Sequence, residues 1–323
     1  MDASFIAVQR LVADALPDAP PLVRGGGPLD QIAVADEEFR TAAATLLEPP
    51  FRGHRVVGEP EPRFAAFLDG TQKIQVLGYY DGVPLVLGTV AAVVRERRNR
   101  RLVTRAHRVE RRVYAPRPAL GVAAWARLGE RCDLRDTSQD AHGGVLPSHP
   151  VALAKLAVGC IQRDREHLEG LLARDWCAAA DAAPLFIDGG IGGNERVARA
   201  SCAVGIVKSH RTLHAEGDDL RLVLALPRGH RSSVFRVAPA RRPAVASWYL
   251  RLREPAGRDP MFGLVRVEVT DMRAASQEEL AARAERVSRW VLAEAAPLAL
   301  PDGRWDTMVY GVRDCEEFLR AVW

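Results

Sequence analysis

The 323-residue chain predicts a mixed α/β fold: one sheet with flanking helices, preceded by an N-terminal helical arm. Three observations carry that expectation. From Arg63 to Ala115, apolar or alternating runs are separated by short turn sequences, the signature of consecutive antiparallel strands. A long amphipathic stretch opens at Pro150, with apolar residues at 153, 156, 160, 161, 168, 171 and 172, the spacing of a helix. Further strand-like runs and a closing helix then follow.

Taken in order, residues 3–15 read as a helix with Phe5, Ile6, Val8, Leu11 and Val12 as its apolar face. The Pro- and Gly-rich "PDAPPLVRGGGP" breaks it, and a second helix is expected over about 35–47. These elements make residues 1–60 an arm, with 61–323 as the main domain. "RFAAFLDG", "IQVLGYYDG", "VPLVLGTVAAVVRER" and "RLVTRAHRVERRVYA" are strands, with turns at "DGTQ", "YDGV" and "RRNR". In the last two, arginines alternate with apolar residues, which predicts one cationic face and one packed face. Residues 129–150 read as a loop, and Pro150 suits the first turn of the long helix. "PLFID", "CAVGIVKSH", "DLRLVLALP", "SSVFRV", "ASWYLRLR" and "FGLVRVEVT" read as strands. Ser276 and Glu279 form a capping box before "SQEELAARAERVSRWVLAEA", and a short last helix starts near Val312. Antiparallel strands, a crossover helix, then more strands is the order of a ribonuclease H-like core.

Composition narrows the class. Hydrophobic content of 48% and charged content of 27% exclude a disordered chain, and no run of about 18 apolar residues is present to span a membrane. The N-terminus lacks a basic segment followed by an unbroken apolar one, so a cytoplasmic protein is expected. The five cysteines are odd in number and form no CxxC pair, which reads as buried thiols. Net charge is only +4, yet Arg95–Arg112 holds nine arginines and two glutamates, a local +7. A basic element on a mildly acidic body predicts a localised polyanion contact.

Two apolar runs end in Asp-Gly: Asp69-Gly70 and Asp188-Gly189. Phosphodiester hydrolysis by divalent ions needs hard oxygen ligands on a rigid platform, and strand ends supply one. Asp69 and Asp188 are therefore candidate ligands for Mn²⁺ or Mg²⁺, the glycine after each letting the chain turn and a phosphate approach. A third ligand is expected from the long helix. Glu169 lies about 60° beyond Leu172 at the border of the apolar face, whereas Glu166 points away. Lys208, one of three lysines among 42 arginines, is a candidate cation for a phosphate oxygen. No phosphate-binding GxxxxGK[ST] loop occurs, "DGGIGGNE" lacks the GxGxxG spacing, and His210 and His214 have no HExxH or cysteine beside them.

The motifs "FLDGT", "LFIDGG" after a helix, "VGIVKSHRTL", "RSSVF", "SWYLRL" and "GLVRVEV", in that order from Arg63 onward, resemble the NurA family of DNA-repair nucleases. The resemblance implies a ribonuclease H/PIWI-like fold and manganese-dependent cleavage at DNA ends. It also implies a homodimer and a partner, the hexameric HerA-type ATPase. Asp69 and Asp188 match the family's two strand-end aspartates, and Glu169, with Glu166 in reserve, its helix glutamate. Two departures stand out. Thr71 and Gly190 occupy positions where a serine often follows the family's Asp-Gly. The last histidine is His230, so the C-terminal metal-site histidine of archaeal members is missing, with Asp314 or Glu316 as candidate substitutes. The expected activity is a metal-dependent deoxyribonuclease. The rival expectation is a catalytically silent module that binds nucleic acid or docks an ATPase.

Overall fold

The computed structural model describes residues 3–16, 39–43, 45–99, 101–139, 145–179, 182–239, 242–255, 257–295 and 310–322. In chain order these form α1 (Ala3–Ala15), β1 (Arg40–Thr41), β2 (Thr45–Leu46), β3 (Gly53–Arg55), β4 (Ala66–Tyr80), β5 (Val83–Arg98) and β6 (Arg101–Ala115). Next come α2 (Arg117–Leu120), α3 (Val122–Gly129), β7 (Leu134–Asp136), α4 (Pro150–Cys177), β8 (Leu185–Asp188), α5 (Glu195–Ala198), β9 (Ala203–Val207), β10 (Thr212–Leu213) and α6 (Gly217–Leu224). The chain continues through β11 (His230–Ser232), β12 (Phe235–Val237), β13 (Val245–Arg251), β14 (Leu264–Thr270), α7 (Gln277–Glu294) and α8 (Tyr310–Ala321).

Two compact units emerge. One comprises Met1–Glu37, Thr71–Ala91 and Arg108–Leu168; the other Glu38–Gly70, Ala92–His107 and Glu169–Trp323. In the first, Val12, Ala15 and Leu16 of α1 join Leu77, Val83, Leu85, Leu120 and Leu128 in one apolar cluster. Gln9 Nε2 donates to the Leu77 carbonyl at 2.9 Å. The helix expected over 3–15 is thus present, and its apolar face is the reason it is held. Asp81 and Gly82, both with positive φ (47° and 77°), make the two-residue hairpin between β4 and β5.

The sheet that matters for function has the strand order β2-β12-β13-β14-β9-β8-β4-β5-β6-β7, with β11 pairing β13 and β3. β8 pairs parallel with β4 and with β9, while β14 is antiparallel to β9 and to β13. The core therefore reads 3-2-1-4-5, with a meander β4-β5-β6 and two parallel strands added at β4. That is the ribonuclease H-like arrangement expected from the element order.

Several local expectations are corrected. Residues 39–43 and 45–47 are not helical; β1 pairs with β10, and β2 adds to β12 through Phe235↔Leu46. Sheet pairing overrides the weak helical pattern there, while residues 35–38 lie outside the described set. "DLRLVLALP" is not a strand but contains helix α6. Asp218 and Asp219 complement its N-terminus, and the buried Arg251 side chain gathers the carbonyls of Val223, Leu224 and Leu226 at its end. The turn expected at Asp69-Gly70 is absent, since β4 runs straight through it for 15 residues. Within the expected loop 129–150, β7 pairs with β6. Among the described residues, no helix is long and apolar enough to cross a membrane.

Candidate functional site

The parallel register Ala66↔Leu185, Phe67↔Phe186, Leu68↔Ile187 decides where the two aspartates go. One further step sets Asp69 beside Asp188, on strands spaced about 4.8 Å apart. Side chains alternate in direction along a strand, so both carboxyls share the face that carries Phe67 and Phe186. Those rings pack at a centroid distance of 5.7 Å. The face is roofed by α7 and α8: Phe64 meets Trp290 edge-on at 6.0 Å, and Gly311 lies so close to Phe67 that a Cβ would sit 2.3 Å from its ring. Asp69 is consequently buried, at 7% exposure. Burial pushes its carboxyl well above the usual range, and the charges of Asp188 and Glu169 add to this. Lys208 and the Gly70 N–H, which donates to Oδ1 at 2.8 Å, oppose it.

Asp188 ends β8, and Gly189, at φ +124°, turns the chain away in a conformation that favours glycine. Glu268 of β14 holds that turn by accepting from the Ile191 N–H at 2.9 Å, and is itself fixed by Arg266 at 2.8 Å. Lys208 follows the end of β9 and places Nζ 2.7 Å from Asp188 Oδ2. The candidate phosphate cation is therefore an ion-pair partner of a candidate ligand.

Glu169 of α4 lies against Gly70: a Cβ there would fall 2.1 Å from Glu169 Oε1. Gly70 is thus needed for close approach of a helix side chain, not for a turn. The carboxyls whose charges bear on Asp69 are Asp188 and Glu169. The four expected residues Asp69, Glu169, Asp188 and Lys208 form one charged cluster. Asp314 and Glu316 do not enter it as free carboxylates. Asp314 pairs with Arg95, and Glu316 with Arg313 and Arg320. Cys315 of α8 feels the cluster: its thiol is pushed up by burial and then by the Asp69 charge.

Two strand carboxylates and one from α4, crowded together, are hard-oxygen donors whose mutual repulsion a divalent cation would relieve, so the donor chemistry fits Mn²⁺ or Mg²⁺. As placed, however, no three Asp, Glu, His or Cys side chains among the described residues stand in a metal-holding arrangement. The cationic role beside Asp188 is taken by Lys208.

The arginine-rich hairpin divides in two. Arg97 donates to both oxygens of Glu294 (2.8 and 2.7 Å) and to the Phe64 carbonyl, with its guanidinium 5.0 Å from the Phe67 ring. Arg95 bonds Asp314, Thr104 and the Leu102 carbonyl and lies over Phe318. These two brace the sheet. Arg98, Arg101 and Arg105 are exposed. The expected split into a cationic and a packed face does not hold on β6, where both faces are largely solvent-exposed between Arg101 and Arg111. Arg100 lies outside the described residues.

His210 and His214 are ordinary interior side chains, each lowered to about 4 first by burial. Trp248 is buried and donates to Ser288 Oγ at 3.0 Å. The sequence signalled nothing of Glu48, which lies in the expected arm. It is buried and takes a bidentate contact from Arg231 (2.7 and 3.0 Å) while accepting the Val234 N–H at 2.9 Å.

Strand order and paired aspartates define a ribonuclease H-like α/β protein with an acidic cluster at the ends of its parallel strands. Among solved structures, the chain is similar to the crystal structure of the NurA nuclease from Sulfolobus solfataricus. The TM-score is 0.45 and the identity 12%, covering 84% of this chain and 86% of that one. No protein-family model matches, and no curated protein matches.

Proposed function

We propose that the protein is a metal-dependent deoxyribonuclease that hydrolyses phosphodiester bonds at DNA ends. The observation that carries this reading is the meeting of Asp69, Asp188 and Glu169 at the end of β8, where burial and like charge drive the Asp69 carboxyl up. In this reading Asp69, Asp188 and Glu169 hold Mn²⁺ or Mg²⁺. A bound ion of this kind supplies Lewis-acid stabilisation of phosphate oxygens and lowers the pKa of a water. Lys208, which pairs with Asp188, would supply a cation to a phosphate oxygen beside these ligands. Arg98, Arg101 and Arg105 hold the DNA backbone. The motif order read from the sequence extends the proposal to a homodimer working with a HerA-like hexameric ATPase, in DNA repair, end processing or phage defence.

A second reading is favoured by one observation: Lys208 Nζ lies 2.7 Å from Asp188 Oδ2, so the chain itself supplies a cationic partner for that carboxylate. It makes the protein a silent nucleic-acid-binding or ATPase-docking module. End-labelled single- and double-stranded DNA incubated with Mn²⁺, Mg²⁺ or chelator separates the two. Cleavage that needs the metal and is lost in Asp188→Asn supports the nuclease. DNA binding without cleavage under any metal supports the silent module. Light scattering with and without the ATPase tests the assembly.

A further inference from the structure

Two thiols outside the acidic cluster stand together. Cys177 ends α4, and Cys202 immediately precedes β9. They are 25 residues apart in sequence, and their sulfurs are hydrogen-bonded at 3.2 Å, against roughly 2.05 Å for a disulfide bond. Both are free thiols and only partly buried, so reagents can reach them. The hydrogen bond with Cys177 pulls Cys202 down to about 7; burial opposes this and the charge of Arg283 assists it. Arg283 is held in place by donating to the Ser201 carbonyl at 2.7 Å. Cys177 moves the other way, raised by its hydrogen bond to Cys202 and then by burial. A pocket of about 560 Å³ at Cys177 is lined by Arg174, Asp175, Cys177, Ala178 and Arg196; Arg174 pairs with Asp175 at 2.9 Å, so Arg196 leaves the lining net positive, which suits a carboxylate-bearing reagent.

We propose that Cys177 and Cys202 are a reversible redox couple, oxidised to an intramolecular disulfide by anionic low-molecular-weight disulfides of the glutathione class. The Cys202 thiolate attacks one sulfur of the reagent, forming a mixed disulfide and expelling one thiolate. Cys177 then loses its proton to solvent and attacks the Cys202 sulfur, expelling the second thiolate. Two protein thiols are oxidised to one disulfide, and one reagent disulfide is reduced to two thiols. The new bond ties the end of α4, which carries Glu169 about two turns upstream, to β9, which leads into Lys208. The couple itself is independent of the nuclease reading; only an effect on cleavage rests on that reading.

The test equilibrates the reduced full-length protein with glutathione buffers of rising oxidised fraction, quenches by alkylation and maps peptides by mass. The expected result is a Cys177–Cys202 linked peptide that dominates at the oxidising end and reverses with dithiothreitol, while Cys132 remains a thiol. Cys177→Ser should trap glutathione on Cys202, and Cys202→Ser should abolish the linked peptide. The wild-type measurement stands without either variant folding normally. Absence of the linked peptide, persistence of glutathione on wild-type Cys202, or equal oxidation of Cys132 would overturn the proposal.

Discussion

Replacing Asp69 by Asn should stabilise the protein near neutral pH while abolishing cleavage. Asp69 is 7% exposed and shares its face with Asp188, so its ionised form is disfavoured by burial and then by a neighbouring like charge. Asparagine keeps an Oδ1 for the Gly70 N–H and removes the charge. Lys208 keeps its own partner in Asp188. A carboxyl raised in the folded state binds more protons folded than unfolded. Stability therefore falls as pH rises from the unfolded value near 3.8 through the folded one. Relieving a carboxyl raised in this way should therefore yield a gain in stability. At roughly 2–4 °C per kcal/mol for domains of about 150–250 residues, that is readable as a Tm shift. Metal-free thermal melts of both proteins should show the gain near neutral pH and its disappearance below about pH 4, where wild-type Asp69 is protonated in both states. An Asn variant less stable than wild type near neutral pH, or a gain independent of pH, would refute the reasoning.

Glu169→Gln should depress DNA cleavage far more than Glu166→Gln, and Gly70→Ala should mimic it by driving the Glu169 carboxylate from its position, since a Cβ would fall 2.1 Å from Oε1; cleavage rates decide both, and equal rates for the two glutamine variants would exclude the helix register. Arg98→Gln, Arg101→Gln and Arg105→Gln together should weaken binding to all DNA sequences alike and flatten the salt dependence by up to about 0.9 per lost duplex phosphate contact, read from affinity against salt concentration. Changing Arg97 instead should cost stability, because it would leave Glu294, with a 5% exposed side chain, without its bidentate partner. Glu48→Ala should cost up to about 3–5 kcal/mol in denaturant melts, because it removes the bidentate partner of the buried Arg231 and leaves it Glu285 at 3.6 Å and the Ser232 carbonyl. Burial raises the Glu48 carboxyl, but the Arg231 contacts outweigh it and leave the pKa lowered, so its contribution should fade as pH falls through that lowered value.

The sequence by itself determined the elements whose patterns are local and strong. The α1 face, the long helix from Pro150, the Ser276 capping box and the arginine hairpin all follow from periodicity and capping chemistry that neighbours in the chain supply. It also placed all four residues of the acidic cluster, because an aspartate closing an apolar run and a glutamate at the edge of a helix face are visible one element at a time. Tertiary structure decided what those residues do to one another. Only the β4–β8 register sets Asp69 beside Asp188, only the packing of α4 gives Gly70 its close approach to Glu169, and only the end of β9 puts Lys208 on a carboxylate. The misread segments fail for the same reason. Arg40–Thr41 and Thr45–Leu46 become strands because β10 and β12 offer edges to pair with, and α6 is helical with its last carbonyls bound by Arg251 of β13. The Cys177–Cys202 contact and the Glu48–Arg231 pair likewise join residues that no short window contains. Local periodicity reports which face of an element is buried, whereas a contact between distant residues is fixed only when strand register and helix packing bring them together.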